Sequence, residues 1–432
     1  MRRIVAAAHE ETPANSVPQA LDWRRLVAEQ RPGDDGDATE HQRAQFARLT
    51  RTQQELQRWA TRYVLPHEHL HQAAYFAIVS TPDTSPEAMV VALAQAIFWI
   101  YVFDDFLDQR LMSATPADSS DAASRASLLA AADDDIHLIV APLTGCLWPR
   151  PEIERQRERM DRRHARTGEA TLLDELRQAT NIRRVLPVTR DGSDIPSALD
   201  RQHDLAVGLR DAFQTLLTLL GHLWRGFSTR QQALTYRQAL VCRQFVRCMA
   251  SMRREFRWNF QLAASLTSSA ATGVASATDR SEGLPSMETY QMTGAVSIGM
   301  YAVAAVVASF EEHPQAAWQH CLAAIDCGGR IVRLANDIST YGREAEEGKL
   351  TAVTLALRQL GYPIRGLDPV RSTEVHAAQR VVSQQLHHEI QFFGTLNESI
   401  AAYPLLAFYL RYVCAFALAF YGDGSQYIAN DA

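Results

Sequence analysis

Two groups of oxygen-bearing side chains stand out by type and spacing. The first closes the apolar stretch AQAIFWIYVFDDFLDQR, where Asp104, Asp105 and Asp108 follow one another. Spacings of i,i+3 and i,i+4 set Asp105 and Asp104 on the helix side of Asp108, so three like charges converge. Burying ionised carboxylates beside Trp99, Tyr101, Phe103 and Phe106 costs several kcal/mol in order of magnitude unless a cation compensates, and Arg110 is badly spaced to serve all three. A hard divalent cation solves the problem. Carboxylate oxygens suit Mg²⁺, which keeps several waters and is usually completed by substrate phosphates.

The second group lies in RLANDISTYGREAEEGK, where Asn336, Thr340 and Glu344 recur every four residues. Each step drifts only about 40° round a helix, so an amide oxygen, a hydroxyl and a carboxylate line one face, again an oxygen set for Mg²⁺. Taken alone, either group also reads as an ordinary polar helix face.

The elements that must position these groups are helical. Periodicity near 3.6 dominates, and no run alternates with period two, so the chain is predicted to be all-α. Helices are expected over 40–63, 89–108, 128–140, 199–224, 230–262, 286–310, from Pro314 to near Gly348, and over 351–360, 371–396 and 399–421. Ser85 and Ser286 serve as caps, and Pro86 and Pro314 sit in first turns. Residues 1–40 carry turn-forming, acidic stretches and read as a loose arm. A single domain follows over 41–432, with insertions near 113–200, rich in charge and turn signals, and near 265–283, rich in Ser, Ala and Thr.

Asp104-Asp105-Phe106-Leu107-Asp108 resembles the DDxxD motif of class I terpene synthases, and the stretch from Asn336 to Glu344 resembles their NDxx(S/T)xxxE motif. In this order and on separate helices the pair is highly specific, and Arg333 and Arg343 beside the second motif are similar to positions in bacterial members, especially diterpene synthases. The resemblance implies a helical bundle with the motifs facing each other across a cavity, holding three Mg²⁺ against a prenyl diphosphate. Asp104 and Asp108 would ligate two metals, with Asp105 in the same catalytic cluster, and Asn336, Thr340 and Glu344 would chelate the third. Smaller matches extend it: Glu255 and Trp258 fit an ExxW pattern, Pro285 to Tyr290 fits PSxExY, and Thr293 to Gly299, including Gly294, is similar to a helix whose break aims backbone groups at substrate. Arg333 and Arg343 match basic positions flanking the second motif, and Lys349 follows soon after. A salt bridge to Glu346 or Glu347 is the plainer role for that lysine.

The departures matter as well. No Arg or Lys occurs from Ser281 to Gly329, so the diphosphate-sensing arginine the resemblance leads one to expect is missing, with Tyr290 in its place. A C-terminal Arg-Tyr pair has two partial candidates, Arg411-Tyr412 by composition and Gln426-Tyr427 by position. Diphosphate contacts are therefore expected from Arg333, Arg343, Lys349, Arg411 and Tyr412. The substrate pocket is expected from Trp99, Tyr101, Phe103, Gly294 and Tyr301, whose aromatic faces suit a passing carbocation.

Composition narrows the alternatives. The 432 residues are 47% hydrophobic and 21% charged, which gives ample core and argues against disorder. A net charge of −6, with no basic stripe, argues against nucleic acid; Lys349 is the only lysine among 43 basic residues. Six cysteines with no CxxC pair, and no signal-like N-terminus, lead to an expected cytoplasmic location. The apolar windows Met89–Phe103 and Ala295–Phe310 fall short of the roughly 20 residues of a membrane span, and Arg411 interrupts Leu405–Phe420, so no stable membrane insertion is expected. A homodimer is left open.

The expected activity is ionisation of a C20 substrate, geranylgeranyl or copalyl-type diphosphate, with cyclisation or rearrangement of the cation. The rivals are a farnesyl-diphosphate sesquiterpene synthase, a chain-elongating prenyltransferase, which would normally carry a second aspartate-rich motif, and a non-catalytic helical binding protein.

Overall fold

Start and stop signals explain most of the elements. A computed structural model describes residues 40–114, 135–136, 138–139, 198–227, 231–272, 283–364 and 372–422, and among them regular structure is α-helical throughout. The main helices in chain order are α1 (Glu40–Arg62), α2 (Leu70–Val79), α3 (Glu87–Ala114), α4 (Ala198–Phe227), α5 (Gln231–Thr272), α6 (Met287–Ser297), α7 (Met300–Ala308), α8 (Pro314–Glu346), α9 (Ala352–Gln359), α10 (Thr373–Ile400) and α11 (Pro404–Tyr421). The Ser286 hydroxyl caps α6 by accepting from the Thr289 amide, and Pro314 opens α8. At the other end of α8, Gly348 adopts φ +73°. The Lys349 amide then reaches the Glu344 carbonyl at 2.8 Å and the Gly348 amide reaches that of Ala345 at 3.3 Å, a Schellman closure that needs the left-handed residue.

Two helices run longer than their composition suggests. The α3 helix continues to Ala114, the last described residue of that stretch, beyond the expected end at Asp108. The α5 helix runs through the first part of the Ser/Ala/Thr stretch to Thr272, because no strong breaker intervenes before Gly273. The α2 helix was not expected. Its N-cap residue, His69, makes no side-chain cap, so the usual start signal is missing. The stretch expected as one helix over 286–310 is two, bent by 45°. Gly299 at the bend has φ +84°, and a Cβ there would meet Ile100 Cγ2 at 3.1 Å. The arm over 1–39 and most of both expected insertions lie outside the described residues.

At the centre lies α7, buried along its whole length and packed by α3, α5, α8 and α11. The two motif-bearing helices, α3 and α8, thus rest on a common support. One face of α3 is committed to the core: Trp99 is 1% exposed, donates from Nε1 to the Leu209 carbonyl at 2.8 Å, and stacks on Phe103 with 5.4 Å between rings. Phe213 of α4 and Phe245 of α5 close round the same indole. On α8, Gly329 lets α6 approach so closely that a Cβ would fall 2.6 Å from the Ala295 carbonyl oxygen.

By length and composition Glu87–Gln109 and Pro404–Tyr421 do suffice to cross a membrane, which corrects the shorter windows read from the sequence. Averaged hydropathy absorbs the acidic residues of α3 and Arg411 of α11. The apolar window of α3 is 78% buried inside the bundle, that of α11 only 39%.

Candidate active site

On α3, Tyr101, Asp104 and Asp108 fall one turn apart, opposite the face that carries Trp99 into the core. Asp104 has open surface of its own but is set deep among protein atoms. Desolvation, then the charge of Asp108, raises its carboxyl to about 7, against the pull of Lys349 and Arg333. Asp108 is also raised by burial, and Lys349 opposes the shift by charge and hydrogen bond. The Lys349 ammonium lies 2.6 Å from Asp108 Oδ2 and 3.0 Å from Glu347 Oε2. Burial works against that cation, yet Asp108 and Glu347 hold its pKa above the ordinary lysine value.

The third aspartate goes elsewhere. Asp105 Oδ2 sits 2.6 Å from His69 Nε2, whose ring lies 5.3 Å from that of Tyr101. The hydrogen bond to Asp105 raises the His69 pKa, burial opposing it. Convergence of all three carboxylates, expected from spacing, is thus reduced to Asp104 and Asp108, because α2 supplies a partner that spacing within α3 does not reveal.

On α8, the Thr340 hydroxyl donates to Asn336, 2.9 Å from its Oδ1, and also hydrogen-bonds Glu344. Burial, and next the charge of Asp337, raise Glu344, while Arg333 lowers it. The three oxygen groups are therefore contiguous on one face. Behind them, Arg333 is hemmed in by anions: its guanidinium lies 3.1 Å from Glu255 and 3.0 Å from Asp337, and its Nε donates to the Tyr290 hydroxyl at 3.1 Å. Gly294 makes this possible, since a Cβ there would stand 2.8 Å from Arg333 Cγ. Tyr290 itself reaches Asp337 at 2.9 Å and the Leu350 carbonyl at 3.1 Å, so it is tied into the wall. Glu255, raised by burial, accepts from the Ser297 hydroxyl at 2.7 Å beside the bend between α6 and α7.

The motifs face one field. Asp104 of the first and Glu344 of the second both sense Arg333 and Lys349. Among the described residues no three His, Cys, Asp or Glu side chains converge as a metal cage. The composition of the site accounts for that: α3 offers two carboxylates once Asp105 is turned away, and α8 offers one carboxylate with an amide and a hydroxyl. Such partial oxygen sets suit Mg²⁺, whose remaining positions go to water and phosphate. The elevated Asp104 and the contiguous Asn336, Thr340 and Glu344 oxygens fit a divalent cation.

Other expected residues are scattered. Tyr101 stands by Asp104 and Tyr421, but Trp99 and Phe103 are core packing, and Tyr301 packs on Trp318 with the Arg247 guanidinium 4.9 Å above its ring. Gly294 serves Arg333 directly. Arg343 is largely exposed, 3.6 Å from Glu347 and 3.8 Å from Glu344. Tyr412 stacks with Phe408 at 6.3 Å and neighbours Tyr75 of α2, so Tyr412 belongs to that side of α11. Gln426-Tyr427 lies outside the described residues. The α11 residue at the site is instead Tyr421, which senses Glu344, Arg343 and Arg333. Nothing local in the sequence singled it out. His69 was equally silent, being one of 14 histidines.

Residues 161–365 match the family described as terpene synthase family 2, C-terminal metal binding. The matched stretch contains Glu255, Gly294 and the whole second motif; it begins inside the charged segment read as an insertion and does not reach the first motif. No curated protein matches the chain. Among solved structures, that of 2-methylisoborneol synthase from Streptomyces coelicolor A3(2), in complex with Mg²⁺ and 2-fluoroneryl diphosphate, is similar over 89% of this chain and 92% of that one, at 13% identity and a TM-score of 0.44. The matched stretch, a little under half of the chain, is thus similar to the metal-binding region of that family and contains the oxygen ligands of α8.

Proposed function

We propose that the chain ionises a prenyl diphosphate of the C20 class, geranylgeranyl or copalyl-type, and cyclises or rearranges the resulting cation. The observation that carries the metal-dependent activity is geometric: Lys349, just past the second motif, reaches Asp108 of the first at 2.6 Å, so the two oxygen sets sit at one site. Asp104 and Asp108 on one side, and Asn336, Thr340 and Glu344 on the other, would hold Mg²⁺, three ions in all. Bound Mg²⁺ supplies charge neutralisation to the departing diphosphate. The chain's own groups do the rest. Lys349 and Arg343 stand where they can take up anionic charge, while Arg333 holds Glu255 and Asp337 in place. Tyr101 offers an aromatic face one turn from Asp104, worth about 0.5–2 kcal/mol to a nearby cation. Water would have to be excluded from the bound cation, which would otherwise be quenched.

A cytoplasmic location belongs to the same proposal, with the five described cysteines buried in the bundle. The test is incubation with geranylgeranyl, copalyl and farnesyl diphosphates plus Mg²⁺, followed by mass spectrometry of the hydrocarbon extract. A cyclic C20 hydrocarbon is expected. A C15 product alone would move the substrate class, a longer diphosphate would mark a chain-elongating enzyme, and no diphosphate release from any substrate would overturn the activity.

A further inference from the structure

We propose that Lys349 is a tethered cation that occupies the metal position at Asp108 until a diphosphate arrives, making metal binding at the first motif contingent on substrate. This rests on the metal-dependent reading above and adds an order of events to it.

The ammonium joins residues 241 apart in sequence, reaching from the loop after the second motif to the first. Its base is rigid. The Lys349 amide closes α8 on the Glu344 carbonyl, the Leu350 amide donates to Asn259 Oδ1 at 2.9 Å, and the Ala352 amide donates to Asp337 Oδ2 at 2.8 Å. Only the side chain is then left to move, and a four-carbon stem carries a compact point charge well suited to leaving one anion for another.

As a stability device the bridge is poor, since both partners are partly buried, 23% and 38% exposed, and the cost of desolvating them offsets their attraction. As an occupant it is apt. Asp104 and Asp108 repel each other, and Lys349 opposes the burial shift of both. A divalent cation arriving alone must displace the ammonium and return it to water beside Glu347. Arriving with a diphosphate, it releases the ammonium to phosphate oxygens, and the displacement is compensated. A ligand shifts such an equilibrium only by its differential affinity for the two states, and the coupling is reciprocal.

The test is titration with Mn²⁺, reading free metal by electron paramagnetic resonance on full-length protein, with and without inorganic pyrophosphate. Wild type, Lys349→Met, Lys349→Gln and Lys349→Arg are compared, with circular dichroism confirming the fold. Without pyrophosphate, Lys349→Met and Lys349→Gln should bind Mn²⁺ at least about tenfold more tightly than wild type, within the usual range of coupling. Lys349→Arg, which keeps the charge, should stay near wild type. Pyrophosphate should raise the Mn²⁺ affinity of wild type by more than it does for the neutral variants. Equal affinities of wild type and folded neutral variants without pyrophosphate would overturn the proposal while leaving the enzymatic reading intact. Failure of wild type to bind Mn²⁺ even with pyrophosphate would overturn both.

Discussion

Asp104 carries the sharpest consequence at the residue scale. Its carboxyl is raised from 3.8 to about 7 by desolvation and Asp108, so near neutrality it keeps part of its proton while no metal is bound. A metal ligand must give that proton up, and Mn²⁺ affinity in the presence of pyrophosphate should rise with pH through about 7. The sign for stability is the opposite. An acid whose folded pKa lies above its unfolded value favours the fold at low pH, and that contribution is lost as pH climbs from the ordinary value through about 7. Calorimetry of the metal-free protein should show the thermal midpoint falling over that window, and a flat profile would count against the placement of Asp104. The same geometry ranks the aspartates: Asp104→Asn should abolish diphosphate release, whereas Asp105→Asn, which loses His69, should cost less. The metal-type residues were legible because their signal is local spacing within one helix. Tyr421, His69 and the diversion of Asp105 were not, since each depends on which distant helix packs alongside.

At the scale of the element, close packing of α6 on α8 is decided by one missing methyl group. Gly329→Ala would place its Cβ 2.6 Å from the Ala295 backbone oxygen, and a backbone atom cannot swing aside as a side-chain end can. Overpacking of this kind costs about 1–3 kcal/mol, so urea unfolding should show a lower midpoint with an unchanged slope. Since α6 and α8 between them position Tyr290, Gly294 and Arg333, activity should fall with stability. Helix starts with a proline or a capping serine were readable, as at Ser286 and Pro314. The α2 start was not, because His69 spends its ring on Asp105 instead of on the helix end. The bend at Gly299 was readable only as a family likeness, for glycine alone does not say which way a helix turns.

For the whole molecule, all-helical architecture follows from period and composition, and the residues between the two motifs pose the open architectural question. The family match begins at residue 161, so part of the segment read as an insertion is similar to that family's metal-binding region. The buried Ile136 and Ile139 tie part of this segment to the core, so only a deletion within 141–160, past them and before the match, should reduce activity less than any metal-ligand substitution. Collapse of helical circular dichroism on that deletion would show that the segment belongs to the core. Hydropathy alone could not separate a core helix from a membrane span here: α3 passes by composition, and only its packing shows how much of it the bundle uses.

The two faces of α3 constrain how the gene can drift. Trp99 locks one side to α4, while Tyr101, Asp104 and Asp108 work on the other. Side-chain identity on the core face of this helix can vary wherever volume is kept. Its residue count cannot: inserting or deleting one codon between Trp99 and Asp104 turns the acidic end by about 100° relative to the indole. Either the aromatic anchor or the carboxylate pair would then point the wrong way. Homologous stretches should therefore differ here by substitution and keep this interval free of gaps, with length variation falling outside it.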